Sequence, residues 1–160
     1  MHLYVIRHAI AEDAVTGQAD ADRELTPEGH RRFRRSVKGL RALELHFDHV
    51  LTSPWMRARA TAELLEPVSS GSPIVTDLLA KKPQAELLAQ IAEYPTTIAV
   101  VGHEPWLGEL VAWLAFGDMR HGEGLEVKKG SVTWLEGSAV PGGMSVRAML
   151  PPKLLRSIRS

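Results

Sequence analysis

Five residues in the middle of the chain, 97–101 (TIAVV), form an apolar run that is rich in β-branched residues. Such a run is typical of a central strand in a parallel sheet, because helices cover both faces of that sheet. A parallel strand also needs long crossover connections, so helices must alternate with strands along the chain. This one segment therefore predicts an α/β fold.

The rest of the chain alternates as such a fold requires. Apolar runs and helical spacing predict strands at 3–6, 48–52, 73–76, 131–135 and 145–150, and helices at 27–43, 54–65, 84–93 and after 105. Thr26 and Ser53 each precede a proline, which predicts a helix start at both places. We expect a single domain, residues 1–160, built as a three-layer α/β/α sandwich around a mainly parallel sheet.

Composition excludes several classes of protein. The chain contains no cysteine, so disulfides, thiolate metal sites and cysteine nucleophiles are excluded. Its 19 basic and 19 acidic residues balance, so we expect neither nucleic acid nor a membrane as a partner. It has no signal peptide and no apolar stretch long enough to span a bilayer, which makes a cytoplasmic location the default expectation.

The charge is unevenly distributed along the chain. Residues 30–35 (HRRFRR) form a basic run, and Lys153, Arg156 and Arg159 form a basic tail. The simplest interpretation is a solvated helix face and a frayed terminus. The alternative is a docking surface for an acidic partner.

Three short motifs follow predicted strands. Arg7-His8 ends the first strand, the segment from Ser53 to Arg57 follows the second, and Gly102-His103 follows the apolar run at 97–101. Ligands of open α/β sheets bind at the carboxyl ends of the strands. If these strands are neighbours, two arginines and two histidines surround one pocket.

That set of side chains suits a phosphoryl group. Arg7 and Arg57 offer planar forks of donors that match phosphate oxygens, and helix N-termini add further donors. The imidazole of His8 can attack phosphorus and carry the group, provided that neighbouring arginines keep it neutral. His103, unlike His8, is expected to be protonated, since its charged form is favoured once a phosphate dianion is bound. A second Arg-His pair, Arg120-His121, lies in a glycine-rich segment without a preceding strand and is interpreted as surface loop.

Four segments carry a family resemblance that covers nearly the whole chain: Arg7-His8-Ala9 and the motifs at 23–29 (RELTPEG), 53–62 (SPWMRARATA) and 101–105 (VGHEP). With them the chain resembles the histidine phosphatase superfamily, also called phosphoglycerate mutase-like, and within it the small SixA-type phosphohistidine phosphatases. The resemblance implies that His8 is the phosphorylated nucleophile and that Arg7, Arg57 and His103 hold the phosphoryl oxygens. It also implies a three-layer α/β sandwich that works without a metal or other cofactor.

The sequence departs from the superfamily pattern at the proton donor. Larger members present a glutamate after the helix of the second motif, and residues 76–83 here show no clear equivalent. Asp20 is a candidate acid or substrate contact. Glu12, Asp13 and Glu104 are further candidate acids. A phosphohistidine substrate needs a strong acid less than a phosphomonoester does, because its P–N bond is labile.

Several functions use this set of residues. The first is a protein phosphohistidine phosphatase, since a chain this short has little room for a lid over the pocket. The alternatives are a phosphomonoesterase of small metabolites with the same pocket and a non-catalytic phosphate-binding module. A metal hydrolase is disfavoured, because His46 and His49 lie away from the other motifs. Trp106, Trp113 and Phe116 are expected in the core.

Overall fold

The computed structural model describes residues 1–159, which contain six strands and five α-helices. The strands are β1 His2–Arg7, β2 His49–Thr52, β3 Ile74–Val75, β4 Thr97–Gly102, β5 Val132–Gly137 and β6 Met144–Leu150. The helices are α1 Pro27–Ala42, α2 Met56–Glu63, α3 Ala85–Ala92, α4 Trp106–Phe116 and α5 Pro152–Ser157. Within these residues, every helix is too short or too polar to cross a membrane.

The strands form one sheet in the order β3-β2-β4-β1-β5-β6. The first four are parallel, whereas β5 pairs antiparallel with β1 and β6 pairs antiparallel with β5. Strand β4 therefore lies inside the parallel part, between β1 and β2, as its apolar sequence predicts. The predicted α/β fold with a mainly parallel sheet is confirmed.

Helices cover both faces of the sheet, which explains why β4 is apolar throughout. Ala99 and Val101 face a core cluster with α1, α2 and α5, whereas Ile98 and Val100 face a second cluster with α3 and α4. Phe33 of α1 is fully buried in the first cluster. Burial of a side chain of this size stabilises the fold by roughly 1.5–3 kcal/mol, so each face contributes substantially to stability.

Two local expectations are corrected. The basic tail is not a frayed terminus up to residue 157, because it forms α5, which packs on α1 through the buried Leu155. Helix α2 begins at Met56 rather than at residue 54, because Trp55 keeps extended backbone angles. At α1 the expectation is confirmed, since the Thr26 hydroxyl accepts a hydrogen bond from the Gly29 N–H at 2.8 Å.

Candidate active site

The carboxyl ends of β1, β4 and β2 meet at one edge of the sheet. His8 follows β1, His103 follows β4, and the segment that leads to Arg57 follows β2. Because β4 pairs with both other strands, the three segments are direct neighbours in space. Arg7, the last residue of β1, completes the group.

These segments surround a cavity of about 370 Å³. Its lining combines basic, acidic and aromatic side chains with the two histidines: Arg7, Arg23, Arg57 and Lys129; Asp20 and Glu104; Trp55 and Trp106; His8 and His103. The structure thus brings the four predicted residues and Asp20 to one cavity. An excess of positive charge in a partly enclosed space favours an anionic ligand.

His8 is held in one tautomer. Its Nδ1 donates to the carbonyl oxygen of Ala9 at 2.7 Å, since a carbonyl can only accept, and its Nε2 accepts from the Nε–H of Arg57 at 3.2 Å. Burial is the main cause that lowers the pKa of His8, to about 3. The Ala9 bond opposes this shift, and the charges of Arg57, Arg7 and Lys129 strengthen it. The ring is therefore neutral near pH 7, and Nε2 presents a lone pair.

Arg57 is fixed from two sides. Its Nη1 donates to the carbonyl oxygen of Asp20 at 2.6 Å, and its Nη2 donates to Asp20 Oδ2 at 3.0 Å. Beneath it, the Thr61 hydroxyl donates to the Arg57 carbonyl at 2.7 Å and accepts from the Ala9 N–H at 3.0 Å. This buried hydroxyl joins the segment after β1 to helix α2. Within residues 1–159, each terminal nitrogen of the guanidinium keeps one N–H that has no protein acceptor.

Two further nitrogens in the site have no partner among residues 1–159. The Nε2 of His103 shares a hydrogen bond of 2.8 Å with Ser53 Oγ, but its Nδ1 is buried and unpaired. Arg7 donates from Nη1 to the Val127 carbonyl at 2.8 Å, but its Nε is likewise buried and unpaired. Buried polar groups without a partner are costly, so both nitrogens favour a polar ligand.

His103 is neutral in the unliganded site. Burial is the main cause that lowers its pKa, to about 3; the charges of His8 and Arg57 lower it further, and Asp20 opposes them. Its ring lies 5.2 Å from that of His8 between centroids. A bound dianion between the two rings would favour a charged His103.

The pKa values of the two carboxylates in the cavity are shifted in opposite directions. For Asp20, partial burial acts to raise the pKa, but the hydrogen bonds and charges of Arg57 and Arg23 outweigh it and lower the pKa overall. For Glu104, burial raises the pKa, against the Gly108 N–H that donates to its Oε1 at 2.7 Å. Glu104 is therefore better suited than Asp20 to carry a proton.

The other candidate carboxylates lie outside the cavity. Glu12 and Asp13 are exposed on the segment between β1 and α1. Arg120 and His121 lie in an exposed 3₁₀ turn, also away from it. No group of three or more His, Asp or Glu side chains within residues 1–159 is arranged to hold a metal ion.

Five of the lining residues were not assigned to the site from the sequence: Ala11, Arg23, Trp55, Trp106 and Lys129. Lys129 comes from the segment before β5, and the Gly130 N–H next to it donates to the carbonyls of both Arg7 and His8, which brings Lys129 beside the site. Trp106 and Phe116 were both expected in the core, but Trp106 is half-buried and lines the cavity together with Trp55, and Phe116 is exposed at the end of α4. The available signal was that Trp55 lies within one motif and Trp106 directly follows another, each at the start of a helix.

Comparisons with known proteins indicate the family of this chain. A sequence model of the histidine phosphatase superfamily (branch 1) matches residues 3–80. An uncharacterised protein of Picosynechococcus sp. is 37% identical over 87% of each chain.

Solved structures of two phosphatases have the same fold. The protein histidine phosphatase SixA, solved with tungstate, matches with a TM-score of 0.80 and 24% identity over 97% of this chain and 99% of that one. A phosphoserine phosphatase of Entamoeba histolytica, solved with 3-phosphoglyceric acid, matches with a TM-score of 0.72 and 16% identity over 96% of this chain and 98% of that one.

Proposed function

Since this chain belongs to the histidine phosphatase superfamily, we propose that it is a phosphatase that hydrolyses phosphohistidine on other proteins, with His8 as the nucleophile. The observation that carries the proposal is the state of His8: its Nδ1–H is held by the Ala9 carbonyl, and its Nε2 lone pair points to the Arg57 guanidinium. A neutral imidazole with one fixed tautomer is the form that attacks phosphorus.

In the first step, the lone pair on His8 Nε2 forms a bond to phosphorus. The P–N bond of the substrate breaks, and its electron pair stays on the substrate imidazole, which takes up a proton. The Nε–H of Arg57 must turn from His8 to a phosphoryl oxygen as the new bond forms. Arg7 and His103 stabilise the remaining oxygens through the two nitrogens that are unpaired in the unliganded site.

In the second step, water attacks the phosphorus of phosphorylated His8. The P–Nε2 bond breaks, inorganic phosphate forms, and neutral His8 returns with its lone pair on Nε2. We assign Asp20 to the positioning of Arg57, since it occupies two guanidinium nitrogens. A direct contact of Asp20 with phosphate is disfavoured by its charge, because its lowered pKa keeps it ionised.

Glu104 is our candidate for the proton donor to the leaving group. It lines the cavity, and burial raises its pKa. Because the P–N bond of phosphohistidine is labile, a single weakly positioned acid is sufficient. An alkoxide that leaves from a phosphomonoester would depend on it more strongly.

A protein substrate is supported by the surface beside the cavity. Lys129 lines both the cavity and an adjoining crevice, and Arg32 of α1 and Arg156 of α5 line that crevice as well. The four arginines of the basic run predicted from the sequence are exposed on α1, and Arg32 among them lines this crevice. A substrate protein with an acidic surface around its phosphorylated side chain would be complementary in charge to these basic residues.

A phosphatase of small metabolites is the second candidate. It is favoured by the fold likeness to the phosphoserine phosphatase, and it would use the same cavity and nucleophile. A phosphate-binding module without catalysis is the third, and it would bind phosphate but release none.

The experiment is a trapping assay with a protein that carries ³²P-labelled phosphohistidine. We expect rapid release of phosphate, and label on His8 after acid-free quenching and peptide mapping. His8→Ala should remove both the label and turnover. Phosphoserine and sugar phosphates run in parallel, and turnover of these without phosphohistidine would select the metabolite phosphatase. Label on another residue, or unchanged turnover in His8→Ala, would reject the mechanism.

A further inference from the structure

One wall of the cavity is aromatic. Trp55 precedes the first residue of α2 and Trp106 is the first residue of α4, and both are half-buried side chains that line the cavity. Their ring centroids lie 5.7 Å apart, and their planes cross at 66°. Trp113, seven residues further along α4, packs instead against the core cluster of α3 and α4. Trp113 is also half-buried, so what distinguishes the two indoles of the wall is that they line the cavity.

The wall is joined to the side chains that we assign to the phosphoryl group. Trp55 packs on His103 at 4.4 Å between centroids, and Trp106 meets the same imidazole edge-on at 6.1 Å. The Cζ of Arg57 lies 4.8 Å from the centre of the Trp55 ring. A ligand whose phosphoryl group is bound by Arg57 and His103 thus lies directly beside the indoles.

Much of the remaining lining is charged. Asp20 and Arg23 form an ion pair of 2.8 Å, and Lys129 lines the same cavity. The cavity therefore offers ionic groups as well as an aromatic surface. In-line displacement sends the leaving group away from His8, so a leaving group that stays within the cavity can contact either kind of surface. Aromatic rings prefer other planar rings in offset or edge-on contact, whereas an alkyl chain gains only its buried area.

We propose that Trp55 and Trp106 form a binding site for a planar aromatic leaving group. On the function proposed above, the group that occupies it is the imidazole of the phosphohistidine substrate. The two tryptophans would then favour substrates whose phosphoryl group is attached to an aromatic ring over substrates without such a ring. Each ring contact contributes about two- to tenfold to kcat/KM.

The test compares two substrates with the same P–N bond, phosphohistidine peptide and phosphoramidate, whose leaving groups are an imidazole and ammonia. In Trp106→Leu we expect kcat/KM for the peptide to fall about fivefold, while the value for phosphoramidate stays within twofold. Trp106→Phe should keep most of the preference, because it retains a ring. Trp113→Leu is the matched control on the same helix and should leave the ratio of the two values unchanged.

An equal loss on both substrates in Trp106→Leu, or an unchanged ratio, would overturn the aromatic site. Phenyl phosphate and methyl phosphate form a second pair that differs in the ring. If the wild-type protein hydrolyses this pair but not phosphohistidine, the proposed function fails, and the ratio for this pair in Trp106→Leu still tests the site. Trp106→Phe also keeps the test valid if the leucine variant does not fold.

Discussion

Because His8 is buried in its neutral form, the free energy of unfolding must depend on pH. In the unfolded chain its pKa takes the ordinary value of 6.5, whereas burial lowers the folded value to about 3. As pH falls from 7, the unfolded chain therefore binds a proton at His8, whereas the folded protein does not. Stability must fall with pH through this window and stop falling only near pH 3, where the folded protein also takes up the proton.

The magnitude follows from these two pKa values. Between pH 7 and pH 5, one such histidine removes about 2 kcal/mol from the free energy of unfolding. His103 has the same folded pKa of about 3 and contributes a similar loss. The wild-type protein should thus lose about 4 kcal/mol from the two histidines, and His8→Gln should lose about 2 kcal/mol, because glutamine does not titrate.

The assay is urea unfolding followed by circular dichroism at pH 5, 6 and 7, for the wild-type protein and His8→Gln. All other titrating groups are common to both proteins, so their contributions cancel in the difference. The two curves of stability against pH should diverge, with the variant gaining about 2 kcal/mol relative to the wild-type protein at pH 5. Parallel curves would mean that folded His8 keeps its ordinary pKa, and the argument that burial suppresses its protonation would be refuted.

Four further predictions follow from individual contacts. Arg57→Lys keeps the charge but loses the bond to His8 and the fork, so kcat/KM should fall about a hundredfold in steady-state assays. Glu104→Gln should reduce phenyl phosphate hydrolysis much more than phosphohistidine hydrolysis, and equal losses would exclude it as the acid. Gly29→Ala should lower the free energy of unfolding by about 2 kcal/mol, because a Cβ there overlaps the Ile10 carbonyl; unchanged urea unfolding would contradict this. Arg156→Glu should raise KM several-fold for an acidic phosphohistidine protein and leave KM for phenyl phosphate unchanged, and equal changes would argue against docking beside α5.

The sequence predicted best the residues whose positions follow from the parallel sheet alone. Parallel strands bring their carboxyl ends to one edge, so motifs after the strands at 3–6, 48–52 and 97–101 could be expected to meet. The apolar run at 97–101 also predicted the interior of the sheet, because only a strand covered on both faces tolerates that composition.

Residues that reach the cavity from other directions could not be found in this way. Lys129 enters from the segment before β5, and its position depends on the hydrogen bonds of Gly130, which no periodicity reveals. Trp106 carries the same apolar signal as a core residue, and only its place at the first turn of α4 separates it from Trp113. Helix α5 is six residues long with three polar side chains, so its sequence gave little indication of a helix without its packing partner α1.

The place of β4 between β1 and β2 has a consequence for how the protein loses activity. His8, Arg57 and His103 follow three different strands of one hydrogen-bonded sheet, so their arrangement depends on the pairing of all three strands. Turnover should therefore vanish in a single cooperative transition in urea, together with the circular dichroism signal. An assay of phosphate release can then report, at nanomolar protein concentration, how much of a sample is folded.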